Sequence, residues 1–145
     1  MKYVYDDGGR AAAGFKGSAG DCVTRAVAIA SGKPYAEVYA VLAEGMGSQR
    51  ITKRTKHRGT SARHGVSVRR KWFEDYMESI GFEWTATMLI GQGCKVHLRN
   101  GELPMGRLAV SVSKHYVAVI DGVIRDTHNP ARDGNRCVYG YWKKR

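Results

Sequence analysis

The sequence predicts an α+β fold in which N-terminal helices pack on an antiparallel sheet formed by the C-terminal half of the chain. Apolar residues recur at helical spacing between residues 22 and 80, and β-rich runs follow from residue 82 onward. Because the helices precede the strands instead of alternating with them, the two kinds of element are expected to segregate. With no internal repeat or linker in view, we expect one domain over residues 1–145.

The first predicted helix carries the most informative residue of the chain. A short edge strand at residues 3–5 is followed by a glycine- and alanine-rich loop at 6–20, and the helix begins beside Cys22. It is apolar on nearly all sides, as expected for a buried central helix, and it ends at Gly32. Cys22 therefore falls on the first turn, where unpaired backbone N–H groups and the helix dipole favour a thiolate.

Two further helices are expected before the sheet. Pro34 favours a helix start, and Gly45 and Gly47 are expected to end that helix because glycine is common at helix C-termini. A third apolar stripe at helical spacing covers residues 70–80, with Gly81 as its stop. The first two helices should form a helical hairpin.

The C-terminal half has the composition of strands and tight turns. Two β-rich runs lie close together, and the Asp-Gly pair at 121–122 is a hairpin turn that folds the chain back after the second of them. The predicted strands are residues 82–87, 108–113, 115–120, 123–126 and 136–142.

The charge is strongly positive and unevenly distributed. The chain of 145 residues has 24 basic and 13 acidic residues, a net charge of +11, and a loop at about 47–68 without helical or strand period that we expect to be mobile. Nucleic acid or an acidic protein would suit this segment, through contacts that are sensitive to salt. The basic run that begins in this loop contains no acidic residue between Gln49 and Lys71, and its nine basic residues are Arg50, Lys53, Arg54, Lys56, Arg58, Arg63, Arg69, Arg70 and Lys71.

Composition also bears on location. No apolar stretch approaches the eighteen residues of a membrane span, and residues 1–6 have no apolar core typical of a signal peptide. We therefore expect a cytoplasmic protein that does not bind membranes and whose three cysteines are reduced.

Downstream residues give Cys22 candidate partners for catalysis. His115 opens a predicted strand, and Asp126, eleven residues later, closes the next one. Across a tight hairpin the two side chains can face each other, so that the carboxylate fixes the imidazole tautomer and favours imidazolium. The imidazolium in turn favours the Cys22 thiolate, and the three residues could act as nucleophile, base and orienter.

These motifs resemble the papain-like cysteine peptidase fold. The loop ending in Gly-Asp-Cys at a helix start and the hairpin sequence from His115 to Asp126 are similar to its compact bacterial and phage branches, including bacteriocin-leader peptidase domains. The segments at 20–30 and 136–142 also resemble small uncharacterised phage proteins. The resemblance covers the first helix and about residues 106–126, and it implies a papain-like domain with Cys22 as nucleophile.

The oxyanion-binding group departs from the papain-like pattern. Those enzymes commonly carry glutamine six residues before the nucleophile, where this chain has Lys16. Lys16 could donate from its ammonium, or Ser18 or Gln92 could donate beside the Cys22 backbone N–H. Asn129 is a second candidate for orienting the imidazole, in the manner of the papain-type amide.

Two functions remain open from the sequence. The first is a cysteine hydrolase (peptidase, isopeptidase or amidase) acting on a protein or peptide, or an acyl transferase using the same triad. The alternative is a non-catalytic, phage-encoded binding module that engages nucleic acid or an acidic host protein through its basic segment. No cofactor or metal is expected, because the zinc-like set Cys94, His97, His128 and Cys137 lacks the paired close spacings of a structural site.

Overall fold

The computed structural model describes residues 1–15, 21–48, 68, 70–89 and 91–145 of the chain. Within these ranges three helices and a six-stranded sheet form a mixed fold, which confirms the predicted α+β class. The helices are α1 (Cys22–Ser31), α2 (Tyr35–Ser48) and α3 (Lys71–Ser79). The strands are β1 (Lys2–Tyr5), β2 (Phe82–Ala86), β3 (Arg107–Val112), β4 (His115–Ile120), β5 (Val123–Asp126) and β6 (Val138–Lys144).

The sheet has the strand order β1-β5-β4-β3-β6-β2. The pairs from β5 across to β2 are antiparallel, as predicted, and β4 and β5 form the expected hairpin. The edge strand β1 departs from the prediction because it runs parallel to β5, from Lys2 beside Val123 to Tyr5 beside Asp126. The backbone N–H of Asp6 then donates to the Asp126 carbonyl at 3.0 Å. The chain start thus braces the end of β5 that carries Asp126.

The core lies on both faces of the sheet, following the alternation of side chains along each strand. On one face all three helices pack against residues that include Ala109, Tyr116 and Ala118. On the other face Leu108, Val110, Val117 and their neighbours form a second cluster with residues of the connecting loops. Helix α1 is the most deeply placed helix: every residue from Val23 to Ala30 is buried. A helix so enclosed holds its first turn, and hence Cys22, in a fixed position.

Helix α2 is longer than the sequence predicted. Neither Gly45 nor Gly47 ends the helix, which continues to Ser48. Gly45 instead serves close packing, because a Cβ atom built on it would lie 2.3 Å from the ring of Trp72. The glycine is therefore explained by a contact made by a residue distant in sequence, a reason that helix-stop rules do not consider. Gly32, by contrast, ends α1 with φ of +75°, as predicted.

A disulfide corrects the expectation of three reduced thiols. Cys94 and Cys137 are bonded, with their Cα atoms 5.9 Å apart, and Cys22 is the free cysteine of the chain. An isolated antiparallel bridge between His97 and Cys137 brings the two segments together. Beside it, the Val138 N–H donates to the Val96 carbonyl at 2.8 Å. Backbone pairing between distant segments, invisible in the cysteine spacing, thus positions the bond.

None of the helices in the described ranges combines the length and the apolar character that crossing a bilayer requires.

Candidate active site

Cys22 is the first residue of α1, as the sequence predicted. The preceding residue, Asp21, occupies the N-cap position, yet its side chain makes no capping hydrogen bond. A capping carboxylate would occupy the N–H groups of the first turn, which have no partner within the helix. These donors therefore remain directed toward the Cys22 end of the helix, where they stabilise negative charge.

His115 and Asp126 meet across the hairpin of β4 and β5. Nε2 of His115 lies 2.6 Å from Oδ2 of Asp126, and both side chains are largely withdrawn from solvent. The hairpin turn falls at Asp121 and Gly122, both with positive φ, and thereby sets the register that brings the strand ends together. The structure places this pair where the sequence expected it.

The same imidazole acts on the Cys22 thiol. Because Nε2 faces Asp126, Nδ1 is the ring nitrogen left to face the thiol. Burial by itself raises the pKa of Cys22, but the hydrogen bond and positive charge of His115 outweigh it and hold that pKa below its ordinary value. The Tyr116 backbone N–H and the Arg25 charge act in the same direction.

The histidine shows the complementary change. Burial disfavours its charged form, but hydrogen bonds and charges from Asp126 and Cys22 raise the pKa of His115 to about 9. Burial likewise opposes ionisation of Asp126, yet the hydrogen bond and charge of His115 lower its pKa overall. Near neutral pH these directions favour a thiolate–imidazolium pair beside an ionised carboxylate. Such a pair combines an activated nucleophile with a proton donor for a leaving group.

Asp126 is held from a second side by α1. Its Oδ1 accepts from the Thr127 backbone N–H at 2.7 Å and lies 3.3 Å from Nη2 of Arg25. Arg25 also pairs with Asp21 through Nη1, one helical turn back. The buried guanidinium therefore joins the carboxylate that orients His115 to the residue that precedes Cys22.

Asp21 anchors this chain of contacts at its other end. It is 1% exposed, its Oδ2 accepts from the Tyr35 hydroxyl at 2.6 Å, and the same oxygen lies 3.2 Å from Nε of Arg10. Sequence reasoning missed Arg10, Asp21, Arg25 and Tyr35. The spacing of Asp21 and Arg25 by four residues, on either side of Cys22 in a helix, was the available signal.

His128 lies next to the pair formed by His115 and Asp126. Its ring centroid is 5.1 Å from that of His115, and ligand atoms of His115, Asp126 and His128 all lie within 4.8 Å of one another. These three residues are the ones that could approach a metal ion here. In the zinc-like set considered from the sequence, Cys94 and Cys137 are instead joined as a disulfide, and His97 faces Glu102 at 3.1 Å.

The other proposed site residues have different outcomes. Lys16 and Ser18 lie outside the described residues. Gln92 is exposed, and its side-chain oxygen accepts from Lys95 at 2.8 Å. Asn129 does not orient the imidazole; its oxygen accepts from the Ala131 N–H at 3.0 Å within a turn, and Asp126 faces His115. The backbone N–H groups at the start of α1 are the described donors nearest in the chain to a developing oxyanion on Cys22.

Most of the basic segment also falls outside the described residues. Of the nine basic residues, the structure describes two: Arg70 precedes α3 as its N-cap residue, and Lys71 pairs with Asp75 at 2.9 Å on the helix surface. Binding of nucleic acid or of an acidic protein by this segment stays a prediction. Its other members are Arg50, Lys53, Arg54, Lys56, Arg58, Arg63 and Arg69.

Comparison with known proteins gives this chain no relative. No family model, no curated protein and no solved structure matches it. The chemistry of the site must therefore be argued from its own residues.

Proposed function

We propose that the protein is a cysteine hydrolase of papain-like type, cleaving an amide, isopeptide or thioester bond in a protein or peptide. One observation carries the proposal: the imidazole that contacts the Asp126 carboxylate at 2.6 Å also lowers the pKa of Cys22, which stands at the start of a buried helix. A cysteine that only fills the core would not require a histidine beside it. A histidine with a purely structural role would not require a thiol beside it. The resemblance to small phage proteins supports a phage-encoded enzyme, and a cytoplasmic location stays a prediction beside the Cys94–Cys137 disulfide.

The reaction follows from the protonation states of the pair. The Cys22 thiolate attacks the carbonyl carbon, forming a C–S bond and a tetrahedral oxyanion that first-turn N–H groups of α1 stabilise. Collapse of the oxyanion breaks the bond to the leaving group, which takes a proton from the His115 imidazolium. Neutral His115 then removes a proton from water as the water attacks the thioester. The second collapse releases the acid and regenerates the thiolate–imidazolium pair.

An activated ester tests acyl transfer to Cys22 without knowledge of the natural substrate. The protein is mixed with p-nitrophenyl acetate, nitrophenolate release is followed, and acid-quenched samples are measured by intact mass. We expect one acetyl group on Cys22 and continued turnover as water releases it. Because Cys22 is the free cysteine of the chain, labelling without reductant reports on this residue.

Two variants locate the reaction. Cys22→Ala should abolish the acetyl adduct, and His115→Gln should slow both its formation and its hydrolysis by about 10²-fold or more. Asn135→Gln, at an exposed loop residue, is the control and should behave as the parent protein. An adduct that forms on Cys22 at the same rate in the His115 variant would contradict the proposal.

A further inference from the structure

A cleft lies between α3 and the edge of the sheet formed by β2 and β6, and Tyr116, the residue after His115, is part of its lining. The cleft has a volume of about 770 Å³. Four of its lining residues, Trp84, Met88, Leu89 and Tyr139, are large apolar side chains that remain 38–55% exposed. Grouping of exposed apolar side chains around one concavity is typical of binding sites and unusual elsewhere on a protein surface.

Tyr116 connects this cleft to Cys22. It lines the cleft, follows His115 in β4, and belongs to the core cluster against which Cys22 packs. Burial is the main cause that raises the pKa of Tyr116 to about 12, and the negative charges of Cys22 and Glu74 add to it. The phenol therefore lies within electrostatic reach of both the nucleophile and the cleft carboxylate. A peptide substrate bound at Cys22 could therefore place one of its side chains in the cleft.

Two carboxylates give the cleft a charge opposite to that of the protein. Glu74 and Glu78 are one turn apart on α3, are exposed, and both line the cleft. Among the described residues, no lysine or arginine forms a salt bridge with either of them; Lys71 pairs with Asp75, and its charge acts on Glu74 and Glu78 only from a longer distance. In a chain of net charge +11, this pair is a local exception. A cationic group that enters the cleft would neutralise the negative charge of Glu74 and Glu78.

We propose that the cleft is a specificity subsite that binds a lysine or arginine side chain of a peptide substrate, with Glu74 and Glu78 contacting the cationic head. The aliphatic stem of such a side chain packs on the apolar wall, and its charge interacts with the faces of Trp84 and Tyr139 as well as with the carboxylates. This subsite deepens the proposed function and rests on Cys22 being the nucleophile. The substrate class is therefore a basic peptide.

Matched electrophilic probes test the preference. Short peptidyl acyloxymethyl ketones that differ in one side chain (lysine, norleucine or glutamate), at the first or second residue from the ketone, are reacted with the protein. Rates of Cys22 labelling are measured by intact mass and divided by the iodoacetamide rate of the same protein. We expect the lysine probe to react about tenfold faster than the norleucine probe, and the glutamate probe to be slowest.

Charge-neutral variants assign the effect to the cleft. Glu74→Gln with Glu78→Gln should bring the lysine-to-norleucine ratio close to one. Asp75→Asn with Glu83→Gln removes the same charge from α3 and β2 at residues that do not line the cleft, and should keep the ratio of the parent protein. A parent ratio near one, or an equal fall in both double variants, would overturn the proposal.

A binding measurement separates failure of the subsite from failure of the enzyme. In Cys22→Ala protein, the indole N–H resonance of Trp84 is followed by NMR during addition of N-acetyl-lysine methylamide or its norleucine analogue. Preferential perturbation by the lysine compound supports the subsite even if Cys22 proves unreactive. Equal or absent perturbation by both compounds counts against the subsite, and leaves the acyl-transfer experiment to decide the enzyme.

Discussion

Replacing Asp126 by asparagine should raise the pH at which Cys22 becomes reactive. The carboxylate is 2.6 Å from Nε2 of His115 and is one of the groups that raise the histidine pKa. The asparagine side chain keeps an oxygen for the Thr127 N–H but removes the negative charge. Without that charge the imidazolium is less stable, and the thiolate that depends on the imidazolium is less stable too.

The size of the effect follows from the histidine. Raising the pKa of His115 from 6.5 to about 9 corresponds to roughly 3.4 kcal/mol in favour of imidazolium, at 1.36 kcal/mol for each pKa unit. Asp126 and Cys22 both contribute. If Asp126 supplies about half, its loss lowers the histidine pKa by about one unit, and thiolate formation at Cys22 weakens by about tenfold through the same coupling.

The rate of iodoacetamide alkylation as a function of pH measures thiolate formation at Cys22 directly. At pH 6 an ordinary cysteine with a pKa of about 8.5 is roughly 0.3% thiolate, so fast alkylation there reports the ion pair. We expect the alkylation midpoint of Cys22 to lie below that of an ordinary cysteine and to rise by about one unit in Asp126→Asn. Asp133→Asn, at an exposed turn residue with positive φ that asparagine tolerates, is the matched control. Identical midpoints for Asp126→Asn and the parent protein would refute the reasoning.

Three stability predictions complete the set, each measured by urea unfolding at pH 7. Arg25→Met should lower the free energy of unfolding by about 3 kcal/mol, because it removes the buried cation that two buried carboxylates share, whereas Arg25→Lys should lower it less; equal losses would contradict this. Replacing Cys94 and Cys137 by serine should lower the free energy of unfolding by about 4 kcal/mol, which is the chain-entropy value for a 43-residue separation. Adding reductant to the parent protein should cause the same loss, and a different loss would contradict this prediction. Replacing glycine by alanine usually stabilises a helix interior, but Gly45→Ala should lower the free energy of unfolding by about 1–3 kcal/mol because the new methyl group meets the Trp72 ring. An increase in the free energy of unfolding would show that the ring moves aside and would contradict this prediction.

The parts of the site that sequence predicted are those governed by local pattern. The start of α1 at Cys22 follows from a glycine-rich loop leading into an apolar period, and the hairpin follows from alternating β-branched residues around Asp121 and Gly122. Once the hairpin register is set, His115 and Asp126 must lie at one end of it. Short-range rules placed each of the three residues in its element, and the papain-like resemblance supplied the expectation that Cys22 meets the hairpin.

The parts that sequence missed depend on contacts between distant segments. Nothing local distinguishes Gly45, which makes room for Trp72, from a glycine that ends a helix. The Cys94–Cys137 bond spans 43 residues and depends on a bridge between loops. Parallel pairing of β1 with β5 likewise joins the chain start to residues more than a hundred positions away. Such pairings are set by the complete packing of the fold and leave no periodic signal.

The charges around Cys22 explain why so many ionisable groups can be buried together. Asp21 and Asp126 carry two negative charges, and Arg10 and Arg25 supply two positive charges in contact with them. The cluster is therefore balanced before Cys22 and His115 are counted.

Proton transfer from Cys22 to His115 adds one charge of each sign and leaves that balance unchanged. Burial alone would penalise both new charges, but Asp126 next to the imidazolium and Arg25 acting on the thiolate offset the penalty on each side. Because Arg25 also holds Asp126, its loss would disturb both partners at once. Arg25, one of the residues that sequence reasoning missed, thus links the stability of the fold to the reactivity of Cys22.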